Sequence, residues 1–397
     1  MGIVAAATAG DNGLVRIGGF SGSNLVISGR FVVQPSDFDI PPEPLMDAAS
    51  LAFLQDMLHT PSPSGYERPI QDVVRRFAGT FADEVHTDTH GNVTAAVNPG
   101  GSPRIMLAGH CDQIGLMVKH IDDKGFLWVH AIGGWDPMVL LGQSVQVWTK
   151  AGPLPGVIAR KPIHLLTQDE RKVVPEIKNL WVDLGVKNGD EARELVRIGD
   201  PITVTLGYQE LRNGLAMSPA MDNKVGVWTV MTAAQRAAKR SPKAAVFAVS
   251  TVQEEIGLRG VQTSAFRIDP QLGIVVDVTH ATDCPTIDEN QYGRVKLGQG
   301  PVLYRGPNVN PVVFERLAKL AGEAEMDVQV NGIAVPASND AAELQLNRSG
   351  VAVGLVCIPN RYMHSPVEMV SLDDLDRAAD LIARFCASVT PACDFTP

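Results

Sequence analysis

The sequence has fewer basic than acidic residues, few cysteines and no long apolar run. Its 397 residues include 34 lysines and arginines against 44 aspartates and glutamates, for a net charge of −10. Proteins that bind the nucleic-acid backbone need clustered positive charge, so we expect no nucleic-acid partner. No apolar run approaches the ~20 residues of a membrane helix, so we expect no membrane partner. Residues 1–8 lack the basic residues of a signal peptide, and the expected location is cytoplasmic.

The five cysteines are odd in number, widely scattered and without a C-x-x-C pair. This pattern predicts neither a disulfide framework nor a thiolate zinc site, and we expect the thiols to be reduced. What remains is an ordinary globular composition, 45% hydrophobic and 20% charged. The length is sufficient for two or more domains around a large core.

The residue pattern divides the chain into four parts. Residues 1–44 are rich in glycine and serine and end in a proline-rich segment, which predicts an N-terminal extension with a stiff linker. Residues 45–117 alternate helical and strand patterns, and the same alternation resumes over residues 211–397. Between them, residues 118–210 contain short β-branched segments separated by glycine and proline. This pattern is typical of an all-β module inserted into one α/β domain.

A pair of adjacent glutamates, Glu254 and Glu255, follows the apolar run 244–252. Adjacent side chains on an extended chain point to opposite sides, so one glutamate can bind a metal while the other acts as a base. Taken alone, two glutamates before a glycine are also typical of a solvated turn. The residues that follow the other apolar runs favour the first interpretation.

Other groups that can bind metals occupy similar positions. His110 ends the strand pattern that begins at residue 104, and Asp112 could accept its second ring N–H and so orient a metal-bound imidazole. A structural histidine is the alternative. Asp222 opens a helical run, where it is either an N-cap or a bridge between two ions.

Asp277 and His364 follow two further apolar runs, 272–276 and 351–358. Sites in open α/β sheets form at the carboxyl ends of the strands, so we expect all these residues to converge there. Two imidazoles with three carboxylates suit zinc, cobalt or manganese, and one shared carboxylate leaves each ion an open position for catalysis. Two ions about 3.5–4 Å apart can lower the pKa of a shared water, while an unligated glutamate takes the proton.

Six motifs, in order, resemble those of the M42 family of metallo-aminopeptidases, which includes TET and glutamyl aminopeptidases. The motifs are GHCDQIGLM (109–117), GGWDP (133–137), MDNKVG (221–226), VQEEIGLRG (252–260), VDVTHAT (276–282) and RYMHSPVE (361–368). The resemblance covers roughly residues 45–390. It implies a phosphorylase/hydrolase-like mixed-sheet α/β catalytic domain carrying an inserted small β-barrel domain, at residues 118–210, that takes part in oligomer assembly.

The resemblance also implies a metal-ligand set. His110 and Asp277 would bind one ion, and Glu255 and His364 would bind the other. Asp222 would bridge the two ions.

Two catalytic roles follow in the same way, with Glu254 as the general base and Asp112 as the outer partner of His110. The resemblance further implies a cis peptide between Asp222 and Asn223. Two positions depart from the family pattern. Gln113 stands where the family commonly has an acidic residue, and Asn339-Asp340 stands where Thr-Asp is usual. Both departures bear on substrate preference.

We therefore expect an aminopeptidase that removes N-terminal residues from oligopeptides with two divalent ions, zinc or cobalt. The resemblance implies a homo-oligomer such as a dodecamer. An amidohydrolase acting on N-acyl amino acids and an inactive, metal-stabilised assembly protein are alternatives. Members of the family have also carried endoglucanase names, but glycosidases use a spaced carboxylate pair and no dinuclear metal.

Overall fold

An eight-stranded mixed sheet lies at the centre of the computed structural model, which describes residues 46–397. The expected N-terminal extension, residues 1–44, lies outside the described residues. The strands of the described part are β1 Glu84–Thr87, β2 Val93–Val97, β3 Arg104–His110, β4 Gly115–Ile121, β5 Leu127–Ile132, β6 Ser144–Thr149, β7 Gly152–Ala159, β8 Trp181–Asp183, β9 Pro201–Val204, β10 Gln209–Glu210, β11 Leu215–Ser218, β12 Ala245–Thr251, β13 Leu272–His280, β14 Val302–Arg305, β15 Gln329–Gly332, β16 Ala352–Asn360 and β17 Glu368–Ser371.

The helices over the same residues vary from single turns to 18 residues. They are α1 Ala48–His59, α2 Arg68–Ala78, α3 Pro137–Leu140, α4 Gly189–Leu195, α5 Met221–Ala238, α6 Arg259–Ile268, α7 Glu289–Tyr292, α8 Pro311–Glu323, α9 Asp340–Gln345 and α10 Leu372–Ser388. Within residues 46–397, no helix is both long and apolar enough to cross a membrane.

The order of strands in the main sheet is β1-β2-β12-β3-β13-β16-β14-β15. Its four middle strands, β12, β3, β13 and β16, are parallel to their neighbours within this group. They are almost wholly buried, as parallel strands covered by helices usually are. Because the four strands run in one direction, their carboxyl ends meet at one edge of the sheet.

Helix α5 packs against these strands, and its N-terminal part lies close to β3. A Cβ added at Gly109 would lie 2.7 Å from the carbonyl carbon of Gly226, so the two backbones approach through glycine on both sides. Further along α5, the fully buried Trp228 donates its indole N–H to the carbonyl of Ser50 at 2.8 Å. The close packing brings the N-terminus of α5 to the ends of the parallel strands.

Six strands, in the order β4-β5-β8-β7-β6-β9, close into a barrel between Gly115 and Val204. The barrel has its own apolar core, which includes Leu116, Val147 and Ile202. The structure confirms the fold class expected from the sequence, a mixed α/β fold with an inserted small β-barrel. A three-stranded sheet, β10-β11-β17, lies beyond the barrel in the chain.

Strands β1 and β2 form a hairpin and pair in antiparallel register across the turn at Gly91. One strand boundary differs from the sequence prediction. Asp277 was expected beyond the end of its strand, but β13 continues to His280 because its last residues pair with Cys357–Asn360 on β16. Pairing with a neighbouring strand therefore decides where β13 ends.

Candidate active site

The predicted site residues lie at the carboxyl edge of the four parallel strands. His110 is the last residue of β3, and it pairs in register with Thr251, the last residue of β12. The loop after β12 then carries Glu254 and Glu255 past His110. Residues separated by more than a hundred positions in the chain are therefore neighbours because β3 and β12 are adjacent and parallel.

The other three predicted ligands reach the same edge from different elements. Asp277 lies near the end of β13, and His364 follows β16 in a loop where it has a positive φ of 60°. Asp222 opens helix α5, and its peptide bond to Asn223 is cis, as the sequence resemblance implies. All five ligands predicted from the sequence thus converge.

Asp222 lies between the two histidines. Its Oδ1 is 3.3 Å from Nε2 of His110, and its Oδ2 is 3.3 Å from Nε2 of His364. Each carboxylate oxygen therefore faces a different imidazole. This is the arrangement that a carboxylate bridging two ions requires.

The remaining carboxylates surround the same two ring nitrogens. Nε2 of His110 is 3.7 Å from Oε2 of Glu254 and 3.8 Å from Oδ1 of Asp277, and Nε2 of His364 is 3.5 Å from Oε2 of Glu255. Two groups of three residues, His110 with Glu254 and Asp277, and His110 with Asp222 and Glu255, bring one donor atom each within 4.8 Å of one another. Glu254, expected as a base, is thus as close to His110 as the expected ligands are.

The carboxylate of Asp112 holds the backbone of the glutamate pair. Its Oδ1 accepts the N–H of Glu254 at 3.0 Å, and its Oδ2 accepts the N–H of Glu255 at 3.2 Å and the hydroxyl of Ser64 at 2.6 Å. Nδ1 of His110 is 3.1 Å from the carbonyl oxygen of Asp112 and 3.5 Å from its Oδ1. Asp112 thus contacts both His110 and the loop that carries the glutamates.

Glu368 has a corresponding position on the other side of the site, and the sequence reasoning assigned it no role. Its Oε2 accepts the N–H of Asp222 and its Oε1 accepts the N–H of His364, both at 2.8 Å. Its only sequence signal was its place at the end of the motif 361–368. On the same side, Nδ1 of His364 is 2.8 Å from the carbonyl oxygen of Gly134, which follows the barrel strand β5.

Comparison with known proteins identifies the family. A family model described as M42 glutamyl aminopeptidase matches residues 91–381. The lysyl aminopeptidase of Pyrococcus furiosus is 36% identical over 350 residues, which are 87% of this chain and 98% of the relative. The chain belongs to the M42 family of aminopeptidases.

Solved structures agree with this assignment. The TET aminopeptidase of the marine sediment archaeon Thaumarchaeota archaeon SCGC AB-539-E09 is 33% identical and has a TM-score of 0.83, with 86% of this chain and 97% of that chain covered. The TET1 peptidase of Pyrococcus horikoshii is 27% identical and has a TM-score of 0.76, with 86% and 100% covered. This M42 protein is a metal-dependent aminopeptidase, and the comparisons do not favour the amidohydrolase or the inactive assembly protein.

The electrostatics of this M42 site match a cation-binding role. Burial raises the pKa of Glu254 and of Glu255 well above the ordinary value, and burial with the nearby charge of Asp222 raises that of Asp277 to about 7. Burial also raises the pKa of Asp222, but hydrogen bonds to His110 and His364 lower it further, so its pKa is below the ordinary value. Four carboxylates this close cannot all ionise at neutral pH without positive charge beside them.

A buried polar atom points to the same conclusion. Oε1 of Glu255 is buried and has no hydrogen-bond partner among residues 46–397. Buried carboxylate oxygens ordinarily bind a donor or a cation. Together with the two imidazoles, the oxygen-rich donor set therefore fits divalent metal ions.

The two departures from the family pattern have different surroundings. Oε1 of Gln113 accepts a hydrogen bond from Nζ of the fully buried Lys224 at 2.8 Å. Burial lowers the pKa of this lysine to about 7, so a neutral partner suits it. Asn339 caps helix α9, and the buried carboxylate of Asp340 accepts the hydroxyl of Thr251 at 2.7 Å.

The site opens into a cavity of about 480 Å³. Its lining consists of the predicted ligands and base together with Gly257, Leu258, Val278, Thr279, His280, Ser338, Asn339 and Met363. We call this space the site cavity. The lining residues other than the predicted ligands and base include no aspartate, glutamate, lysine or arginine.

Proposed function

We propose that this aminopeptidase uses two divalent metal ions, zinc or cobalt, held by the residues predicted from the sequence. His110 and Asp277 hold one ion, and Glu255 and His364 hold the other. The observation that carries the proposal is the position of Asp222, whose two oxygens lie 3.3 Å from two different imidazoles. A carboxylate with this geometry can bind one ion through each oxygen.

Glu254 is the general base in this proposal. When bound, the ions supply a water of lowered pKa and polarise the carbonyl of the substrate. Glu254 takes the proton from the attacking water and passes it to the leaving amine. The hydrogen bond from its backbone N–H to Asp112 supports the role, because it anchors the loop that carries the base. The same aspartate orients the ring of His110.

The substrates in this proposal are oligopeptides with a free N-terminus. The relative from Pyrococcus furiosus is called a lysyl aminopeptidase, and the archaeal structure is called a TET aminopeptidase. The site cavity of about 480 Å³ suits one or two residues of an extended peptide rather than a folded protein.

Assembly into a homo-oligomer, such as a dodecamer, through residues 118–210 is the second part of the proposal. The Pyrococcus horikoshii TET1 peptidase can assemble into a tetrahedron or a large octahedral shell. In this chain, the segment between β7 and β8 exposes four large apolar side chains, which is typical of an interaction surface. They are Ile163, Leu165, Val173 and Val174, each at least 59% exposed. A monomeric mass by light scattering with metal bound would contradict this part.

Two substitutions in the glutamate pair test the proposed roles. Glu254→Gln keeps the size of the side chain but cannot take up the proton. We expect it to keep both ions while turnover falls by about 10²–10⁴-fold. Glu255→Gln removes a charged ligand, so it should lower metal occupancy, and excess metal should partly restore its activity.

Metal content and turnover are measured on both variants and on the wild type. If Glu254→Gln loses metal and Glu255→Gln keeps it, the two roles are reversed. If both variants turn over substrate as fast as the metal-loaded wild type, the proposed chemistry is wrong.

A further inference from the structure

Among residues 46–397, the lining of the site cavity has no carboxylate, lysine or arginine beyond the proposed metal ligands and base. Its four carboxylates, Asp222, Glu254, Glu255 and Asp277, formally balance two divalent ions. The rest of the lining supplies apolar contacts from Leu258, Val278 and Met363, together with small polar groups and the imidazole of His280. A substrate side chain in this space meets no carboxylate, lysine or arginine outside the proposed metal site.

Two cations outside the lining of the site cavity are already paired with protein groups. Arg361 donates two hydrogen bonds to Asp283, at 2.8 and 2.7 Å. Nζ of the buried Lys224 donates to the carbonyl of Thr60 at 2.7 Å and to Oε1 of Gln113 at 2.8 Å. Neither cation is available to a carboxylate on the substrate.

The carboxylate of Asp340 is likewise held behind the site. It is 1% exposed, and its Oδ2 accepts the hydroxyl of Thr251 at 2.7 Å. The residue does not line the site cavity. Asp340 therefore offers no free carboxylate to an ammonium group on the substrate.

We infer that the enzyme prefers peptides whose N-terminal residue is uncharged and aliphatic, such as leucine or methionine, over peptides that begin with lysine or glutamate. This inference rests on the proposed function, because the two ions neutralise the four carboxylates. Burying a charged side chain without a partner is unfavourable, whereas an aliphatic one gains contact with Leu258 and Met363. Pocket contacts of this kind change kcat/KM by about 10–200-fold.

The first experiment compares kcat/KM for the p-nitroanilides of leucine, methionine, lysine and glutamate with the zinc- or cobalt-loaded enzyme. We expect leucine and methionine to exceed lysine and glutamate by at least about tenfold. A best substrate bearing lysine or glutamate would overturn the inference and leave the proposed function intact. Hydrolysis of none of the four would refute the proposed function itself.

A second experiment adds charge to the wall of the site cavity. Met363→Glu places a carboxylate there, and it should raise the lysine-to-leucine ratio of kcat/KM by about tenfold or more. Met363→Gln is the uncharged control of similar size. Tyr362→Glu adds the same charge next to the site cavity but not in its lining, since Tyr362 is 47% exposed and does not contact this space.

The ratio of two substrates does not depend on the fraction of enzyme that is folded or loaded with metal. We therefore expect the ratio to change in Met363→Glu alone. An equal ratio in Met363→Glu and in both controls would show that this wall does not contact the N-terminal side chain, and the inference would be wrong. Calorimetric binding of leucine amide and lysine amide to the Glu254→Gln variant gives the same comparison without turnover.

Discussion

Replacing Glu368 by glutamine tests whether one buried carboxylate fixes two parts of the metal site. Glu368 is 1% exposed, and its two oxygens accept the backbone N–H groups of Asp222 and His364, both at 2.8 Å. Glutamine retains one acceptor oxygen. Its NH₂ group must then face the other backbone N–H, so a donor is placed against a donor.

The size of the effect follows from these two contacts. Burial and the nearby charge of Asp222 raise the pKa of Glu368 to about 8, so the carboxyl is ionised only in part near neutral pH. A hydrogen bond contributes about 0.5–1.5 kcal/mol when neutral and about 1.5–3 kcal/mol to a charged group, and a buried donor without an acceptor costs about 1–3 kcal/mol. We expect Glu368→Gln to lower the free energy of unfolding by about 2–4 kcal/mol, since the backbone relaxes to recover part of the loss. Because Asp222 or His364 then moves, metal affinity or activity should also fall by about 10–100-fold, as it does when groups supporting a ligand are replaced.

The Asp374→Asn variant is a matched control that separates the positioning of the metal ligands from the stability of the fold. The carboxylate of Asp374 is fully buried and accepts the backbone N–H groups of Gly298 and Gly300, both at 2.7 Å. None of these residues lines the site cavity. Asp374→Asn therefore loses the same kind of contact, and it should leave metal affinity unchanged.

The assays are denaturant unfolding, calorimetric metal titration and kcat/KM on the same preparations. If Glu368→Gln loses stability but keeps the metal affinity and kcat/KM of the control, then Glu368 supports the fold and does not position the ligands. That result would refute the reasoning above.

Three further predictions concern packing, pH and metal. Gly109→Ala should lower the free energy of unfolding by about 1–3 kcal/mol, because its Cβ would meet the backbone of α5 at 2.7 Å. In denaturant unfolding, Gly322→Ala in the exposed end of α8 should instead stabilise by up to about 1 kcal/mol, and equal effects would contradict the packing argument. Burial raises the pKa of Glu67 to about 7, so its stabilising contribution is full below about pH 4.5 and is lost as the pH rises through 7. The Glu67→Gln variant keeps the oxygen that accepts the N–H groups of Gly65 and Gln253. The free energy of unfolding of this variant, relative to wild type, should therefore rise by about 3 kcal/mol between pH 4.5 and 8. A difference that stays constant with pH would contradict the raised pKa. Chelation should abolish activity and lower Tm, because cations that bind only the folded chain stabilise it, and an unchanged Tm after verified metal loss would argue against the site.

Much of the site could be predicted from the sequence because each strand carries its own signal. The apolar runs before His110, Glu254 and Asp277 are long enough for buried strands, and polar groups at their ends are costly unless they have a use. Parallel strands then bring those ends together without further information. The order of the six motifs was sufficient for the family.

The limits of elements were less predictable. The end of β13 depends on pairing with β16. This interaction is not encoded within the strand itself. Local patterns therefore located β13 but did not determine where it ends.

Only the tertiary structure decided which groups touch. Asp112 accepts the backbone N–H of Glu254, 142 positions away, and Glu368 accepts that of Asp222, 146 positions away. Residue type and spacing determined which side chains could bind metal, because that chemistry belongs to each side chain. The orientation of those side chains was decided by contacts between distant segments, because a hydrogen bond depends on distances and angles that only the packed chain sets.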